Sequence, residues 1–459
     1  MIIKNIVFIE AGSPGSHIFS KYPVPRLGSV LLATILKERG YRVRVFIEDL
    51  AEPVWSEINQ ADLVCLSTIT STAPRTYLLA DRFRAMGLPV VLGGPHVTFL
   101  AEEALLHADF VIRGEGENSL LELLSALEKG SPRLSEIKGL SYRDRNGTTV
   151  HNPAADFVQD LDSLPEPDFS LVHKWKKSNI YPLSTSRGCP FGCKFCSVIQ
   201  MFGRRYRFKS VEATLRELKF ANRVSRATKF IVDDNFAADV NRTREILRGL
   251  VAEKIKMKWS TQVRVDVARD PELLRLMADS GCHTLYIGFE SINPRTLEAY
   301  QKKQDLKDII RAVQAIRAYG IHVHGMFVLG ADTDDVNTIR KTLLFARKNK
   351  IDTVQFMILT PLPGTPLFSE MSAAGRLIHT SWNRYDAHHV VFRPASMSPL
   401  TLQVETFKAM AGFYSWKYIL KHLATLRFHY AAIGMFGKTT IHRFMKSLTA
   451  ELRELQSQN

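Results

Sequence analysis

Two runs of alternating strand and helix, separated by a stretch of turn formers, constrain this chain more than any other feature of its sequence. In the first run, Lys4–Ile9, Arg42–Ile47, Asp62–Ser67, Pro89–Leu92 and Asp109–Arg113 read as short apolar strands, and Leu27–Arg39, Pro74–Met86 and Asn118–Glu128 as helices. Such alternation gives a parallel sheet covered on both faces, so residues 1–130 are expected to form a Rossmann-like, doubly wound domain. Ligands of such sheets sit beyond the carboxyl ends of the strands. There the sequence offers Ser67-Thr68, Gly93-Gly94 and Gly114-Glu115-Gly116-Glu117.

Residues 131–180 differ. Asn146-Gly147 separates Ser141–Asp144 from Thr148–His151, which is a hairpin signal, and Leu164-Pro165-Glu166-Pro167 breaks any regular element. A hairpin and linker are expected. The second run occupies residues 181–398. Its strands are Tyr181–Ser186, Lys229–Val232, Lys258–Val263, Thr284–Phe289, His322–Leu329 and Thr353–Ile358, with helices Val211–Val224, Arg242–Lys254, Pro271–Ser280, Leu306–Tyr319 and Thr333–Asn349 between them. Six such strands predict a partial (β/α)6 TIM-like barrel, since a closed one needs eight. Residues 399–459 carry no strand signal and read as a C-terminal helical segment. The class is α/β.

The five cysteines are Cys65, Cys189, Cys193, Cys196 and Cys282. Three fall within one loop after the first strand of the second run, so they form no disulfide framework. Cys65 and Cys282 lie in apolar surroundings and are expected to be buried core thiols. In Gly188-Cys189-Pro190-Phe191-Gly192-Cys193-Lys194-Phe195-Cys196, the spacing C-x3-C-x2-C lets three thiolates wrap three irons of a cubane. Four cysteines would close the cluster for electron transfer, whereas three leave one iron open to a substrate or cofactor. A zinc site would need a further ligand pair, and none is in view. Arg187, Lys194, Arg204, Arg205, Arg207 and Lys209 surround the cysteines, with no Asp or Glu between Arg187 and Lys209. Such a field stabilises thiolate-ligated iron and a carboxylate-bearing cofactor.

The cysteine spacing, with the aromatic Phe195 before Cys196, resembles the radical S-adenosylmethionine (SAM) superfamily. The resemblance implies a [4Fe–4S] cluster on Cys189, Cys193 and Cys196, whose open iron is chelated by SAM. It implies reductive cleavage of SAM to a 5′-deoxyadenosyl radical, with an electron donor such as flavodoxin or ferredoxin. Phe195 is expected to contact the adenine. By position, Asp233 and Asp234 are expected to meet the SAM amino group, and Arg264 its carboxylate. Glu290 and Ser291 are expected at the ribose and methionyl groups, and Gly330 where backbone approaches the adenine. Thr360-Pro361-Leu362-Pro363-Gly364-Thr365-Pro366 resembles a loop that follows the sixth strand in this subgroup.

A doubly wound domain before such a barrel is similar to the cobalamin-binding subgroup, and the resemblance spans Lys4 to Arg393. It implies that Ser67, Thr68, Gly93 and Gly94 border a cobalamin. The D-x-H-x-x-G motif that gives B12 mutases a lower cobalt ligand is absent, and the first loop holds only His17. The function implied is cobalamin-dependent methyl transfer to an unactivated centre of a small molecule or lipid. Cobalamin-independent radical SAM cyclisation, rearrangement or C–C bond formation is the alternative. An iron–sulfur redox or nucleic-acid-binding protein is the non-enzyme alternative, and it leaves the open iron without a use. A methylthiotransferase would carry a second cysteine trio in the first domain, where only Cys65 occurs.

The net charge of +15 bears on partners. Between Phe407 and Met445, aromatic residues interleave with Lys408, Lys417, Lys421, Arg427, Lys438 and Arg443, and Lys446 follows. A helical cap on the barrel mouth is expected, with peripheral membrane contact as the second reading and nucleic acid as the least favoured. No charged-then-apolar leader opens the sequence, so a cytoplasmic location is expected.

Overall fold

The computed structural model describes residues 2–13, 24–379 and 381–457, with side chains as far as Met445; His17 and the side chain of Lys446 lie outside the described residues. The N-terminal sheet holds β1 (Asn5–Glu10), β2 (Arg42–Ile47), β3 (Leu63–Ser67), β4 (Val90–Gly93), β5 (Phe110–Ile112), β6 (Leu140–Arg143) and β7 (Thr149–His151). Their order is β2-β1-β3-β4-β5-β6-β7, parallel from β2 to β5 and antiparallel beyond. The hairpin therefore continues this sheet instead of standing apart from it.

Strand periodicity divides the strands between two cores. Ile6, Phe8, Cys65, Val91 and Ile112 pack with Val30, Leu36, Leu120 and Leu124 of the helices Leu27–Glu38 and Glu117–Lys129. The alternate residues Val7, Ile9, Val64, Leu66, Leu92 and Val111 pack with Tyr77, Ala80 and Phe83 of the helix Ala73–Ala85. Residues 152–179 are packed rather than loose. His173 N–H donates to the Val45 carbonyl, Thr34 Oγ1 accepts from Asp168 N–H, and Phe169 packs on Tyr181.

The second sheet contains β8 (Ile180–Leu183), β11 (Thr228–Ile231), β12 (Trp259–Val263), β13 (Cys282–Glu290), β14 (His322–Leu329) and β15 (Thr353–Ile358). It is wholly parallel and runs in the order β15-β14-β13-β12-β11-β8. Asp239, Asp270, Asp305 and Asp335 cap the helices that follow β11 to β14, each accepting a backbone N–H three residues on. The helix expected from Thr333 starts at Val336, because Asp335 is its cap and Asp334 turns back to bind the β14 end. The strand expected as Tyr181–Ser186 divides in two. After β8 the chain leaves the sheet, and β9 (Ser186–Arg187) pairs antiparallel with β10 (Arg207–Phe208).

The C-terminal helices Pro399–Phe413, Trp416–Ala424 and Phe428–Ser457 pack together, the first of them against β15 and the helix Val336–Lys348. Beyond Pro399–Phe413, Tyr414 is inserted at β15, the outer strand of the open barrel. Its hydroxyl accepts from Val354 N–H at 3.1 Å and donates to the Val354 carbonyl at 2.8 Å. The helices thus cover the barrel's side, and they reach the starts of its outer strands, where the Tyr418 hydroxyl donates to the Asp352 carbonyl at 2.8 Å and Tyr430 lies against His322.

Candidate active site

The β9–β10 ladder closes a loop of about twenty residues that carries Cys189, Cys193 and Cys196. Gly188 (φ +88°) lies so close to Arg205 and Phe202 that a Cβ would strike the Arg205 carbonyl. Cys189 N–H donates to the Gly203 carbonyl at 3.2 Å, Cys193 N–H to Phe191 at 3.0 Å, and Cys196 N–H to Cys193 at 3.1 Å. All three thiols are half-buried, while Cys65 and Cys282 are buried in the cores, as expected. Burial pushes the Cys193 thiol up and Cys196 up to about 12. Lys302 and Arg264 pull Cys193 back towards thiolate. A bound iron centre would deprotonate the thiols outright.

Among the described residues, no three His, Cys, Asp or Glu groups converge on one metal ion. A cubane does not ask for that, because each thiolate binds a different iron and the sulfurs stand wider apart than in a mononuclear site. A donor set of three thiols on one turn-rich loop fits a [4Fe–4S] cluster.

The ends of β11, β12 and β13 converge on this loop. Asp233 is buried, and its carboxylate accepts from Thr185 N–H (2.7 Å), Thr185 Oγ1 (2.6 Å) and Ser186 Oγ (2.8 Å). It ties down the stem of the cysteine loop with three of a carboxylate's roughly four acceptor positions. Asp234 is exposed on the cavity described below. Desolvation by the surrounding protein, reinforced by the Asp233 charge, raises it to about 6. Arg264 follows β12. Its guanidinium stacks 3.9 Å over the Phe191 ring, its Nε is buried with no hydrogen-bond partner among the described residues, and Asp266 stands 3.6 Å away.

Glu290 sits at a bulge of β13 with φ +61°, rare for a residue with a Cβ, and its carboxylate accepts from Lys302 Nζ at 2.8 Å. Ser291 is buried and accepts from Asn293 N–H. Phe195 meets Tyr300 edge to face at 4.9 Å. Gly330 has φ +101°, a backbone conformation that favours glycine. The space its missing side chain leaves is filled by Leu402 and Phe392, so its lack of a Cβ admits a C-terminal helix on that side.

On the N-terminal side, Gly94 (φ +100°) lies so near the Thr68 backbone that a Cβ would come within 2.6 Å of its carbonyl oxygen. Thr68 is buried, with its hydroxyl unpartnered among the described residues, as is that of Ser29. The loop after β5 is a bridge to the cysteine loop. Glu115 accepts from Arg207 through both oxygens (2.7 and 2.9 Å), lies 3.2 Å from Arg187 and accepts from Val158 N–H; Glu117 accepts from Arg187 at 2.6 Å. Sequence reasoning missed this bridge, though four charges beside small residues at two strand ends were its signal.

A cavity of about 400 Å³ joins the two halves. Its walls include Ser67, Gly93, Gly94 and Gly114 at the N-terminal strand ends, an apolar floor of Leu31, Leu32, Val91 and Leu120, and Asp233 and Asp234 of the barrel. A glycine-edged, apolar slot beyond the strand ends fits part of a corrinoid.

Comparison with known proteins agrees. Residues 183–365 match the radical SAM superfamily and residues 19–124 the B12 binding domain. A Pyrococcus horikoshii protein described as an uncharacterized methyltransferase is 33% identical over 407 residues, covering 85% of this chain and 88% of the relative. The bacteriochlorophyllide d C-12(1)-methyltransferase of Chlorobaculum tepidum is 28% identical over 458 residues, covering 98% and 95%. The fold is shared with the cobalamin-dependent S-adenosylmethionine radical enzyme OxsB, with a TM-score of 0.74 at 18% identity over 94% of this chain and 72% of that one. The chain therefore belongs to the radical SAM superfamily, in the group whose [4Fe–4S]- and SAM-using barrel follows a B12-binding domain.

Proposed function

We propose that the protein is a methyltransferase in which cobalamin carries the methyl group to an unactivated centre of a small molecule or lipid. The observation that carries this reading is the single cavity running from the N-terminal strand ends to Asp234 of the barrel. When bound, cluster and SAM supply the 5′-deoxyadenosyl radical and cobalamin the methyl group.

In this reading Cys189, Cys193 and Cys196 hold the cluster, and Asp233 fixes the stem of their loop. Asp234 receives the SAM ammonium and Arg264 its carboxylate, which would satisfy the orphaned Nε. Glu290, held by Lys302, and Ser291 face the ribose and methionyl groups, and Phe195, braced by Tyr300, borders the adenine. Ser67, Thr68, Gly93 and Gly94 border the corrinoid. An electron donor of the flavodoxin or ferredoxin kind reduces the cluster. Anaerobic reconstitution with SAM, reductant and hydroxocobalamin is expected to yield 5′-deoxyadenosine and S-adenosylhomocysteine, and Cys193→Ala to yield neither. Deoxyadenosine alone, with no S-adenosylhomocysteine under any substrate, would defeat methyl transfer.

An apolar substrate agrees with the surface of the C-terminal helices. Trp416, Leu420 and Leu423 form an exposed stripe at helical spacing, continued by Leu426 and Phe428 and flanked by Lys417, Lys421 and Arg427. No Asp or Glu occurs from Thr406 to Ala450. No helix among the described residues is long and apolar enough to cross a membrane, so contact would be peripheral. Co-sedimentation with anionic vesicles at low salt tests it, and failure to bind them would remove the membrane from the reading.

A further inference from the structure

Six cations lie between Arg187 and Lys209, and the structure sorts them. Arg187 and Arg207 are committed to Glu115 and Glu117, Lys209 to Glu217 and Lys194 to Glu370. Arg204 and Arg205 remain. Both are exposed, and among the described residues neither forms an ion pair. They stand on the turn Gly203–Tyr206, the surface stretch that ends the cysteine loop. Gly203 accepts the Cys189 N–H, the Arg205 carbonyl lies against Gly188, and the Tyr206 hydroxyl is 3.9 Å from Cys189 Sγ. With Cys189 as a thiolate, that hydroxyl can only donate to the sulfur. The Phe157 ring, partly exposed, covers Gly203 and adds an apolar contact beside the two arginines.

The structure assigns this turn as the electron-entry face of the enzyme: Arg204 and Arg205 dock an acidic one-electron carrier protein, and Tyr206 connects that surface to Cys189. The inference rests on the proposed use of an external electron donor and gives that donor its landing site. The step balances with one electron: the reduced carrier is oxidised by one electron as the cluster passes from its 2+ to its 1+ state, with no proton or atom transferred. Electron transfer falls steeply with distance, so a carrier must reach the sulfur ligands closely. Redox encounters are small and electrostatically steered, and two unpaired guanidinium groups on a turn in contact with Cys189 suit them.

Stopped-flow reduction of the reconstituted cluster by photoreduced flavodoxin tests this. The double variant R204E/R205E is expected to lower the second-order rate at least tenfold at low ionic strength and to flatten its salt dependence. Reduction of the same cluster by dithionite is expected to stay within twofold. K254E/K256E makes the same charge change on exposed lysines before β12, at the other end of the barrel, and is expected to leave the flavodoxin rate within twofold. R204Q/R205Q gives the same reading with a smaller drop should the reversed charges hinder cluster uptake. An unchanged flavodoxin rate and salt slope, or an equal loss in K254E/K256E, overturns the assignment. Absent cleavage of SAM with dithionite in the unaltered protein would instead fail the proposed function, so the two failures are distinguishable.

Discussion

Removing Glu115 should loosen the junction between the two α/β units. Its carboxylate is buried, 2% exposed, and faces two guanidinium groups that are 8% and 16% exposed. Glu115→Ala deletes a two-pronged pair with Arg207, a contact with Arg187 and the acceptor for Val158 N–H. Removing one partner of a buried pair costs about 3–5 kcal/mol, because the other charge stays buried without compensation. Arg207 keeps the Val158 and Phe202 carbonyls and Arg187 keeps Glu117, so the lower half of that range, about 3–4 kcal/mol, applies. For a unit of this size that lowers the first thermal transition by on the order of 10 °C.

Glu115→Gln keeps the shape and one acceptor, and should cost about 1.5–3 kcal/mol, the worth of a charged hydrogen bond. Burial alone would raise the Glu115 carboxyl, but the Arg207 hydrogen bonds and the Arg187 charge outweigh it and hold it below the usual range. Its stabilisation is therefore complete above the ordinary glutamate value and lost as pH falls through the lowered one, so variant and wild type should converge in acid. Anaerobic circular-dichroism melts carried from neutral pH down well below the usual glutamate range would read this. A Glu115→Ala melt within 2 °C of wild type at pH 7 would refute the argument that the bridge holds the junction.

Further outcomes bear on the cofactors. Arg264→Ala should weaken SAM binding by about 10- to 100-fold, the loss of charge-assisted hydrogen bonds, while Phe191 and the cluster iron content stay in place; unchanged calorimetric affinity would take Arg264 out of the SAM site. Asp234, raised to about 6, binds its proton more tightly folded than unfolded, so its ionisation costs stability as pH rises from about 4 through 6. The SAM ammonium favours the ionised form, so affinity should rise between pH 5 and 7 and be flat in Asp234→Asn; equal slopes would contradict that contact. Leu32→Trp, filling the cavity floor against Gly116, should weaken hydroxocobalamin retention at least about tenfold by absorbance after gel filtration, an overpacking cost of about 1–3 kcal/mol, and spare SAM cleavage.

Strand and helix positions were legible because burial on both sheet faces writes continuous apolar runs and aspartates write the helix starts. The cysteine loop was legible because its ligands are local in sequence. What the sequence hid depends on orientation. Asp233 and Asp234 are adjacent and both border the cavity, yet only Asp233 is tied to the loop stem. A glycine at a strand end does not say in sequence what fills the space of its missing side chain, and at Gly330 that is Leu402. The Glu115–Arg207 bridge joins residues 92 positions apart, and a helix-or-strand pattern has no register for such pairs. The hairpin signal was sound, but a turn motif does not say onto which sheet a hairpin is laid.

The Tyr414 hydroxyl on Val354 has a consequence for behaviour in the cell. A closed barrel has no free strand edge, whereas six parallel strands leave two, and an open edge is a template for a neighbouring chain. By occupying both the N–H and the carbonyl of Val354, one side chain withholds the start of that edge from strangers. The C-terminal helices thus act as an internal chaperone for the barrel: newly made chains would be most prone to polymerise in the interval between completing β15 and docking Tyr414, whichever substrate the finished enzyme methylates.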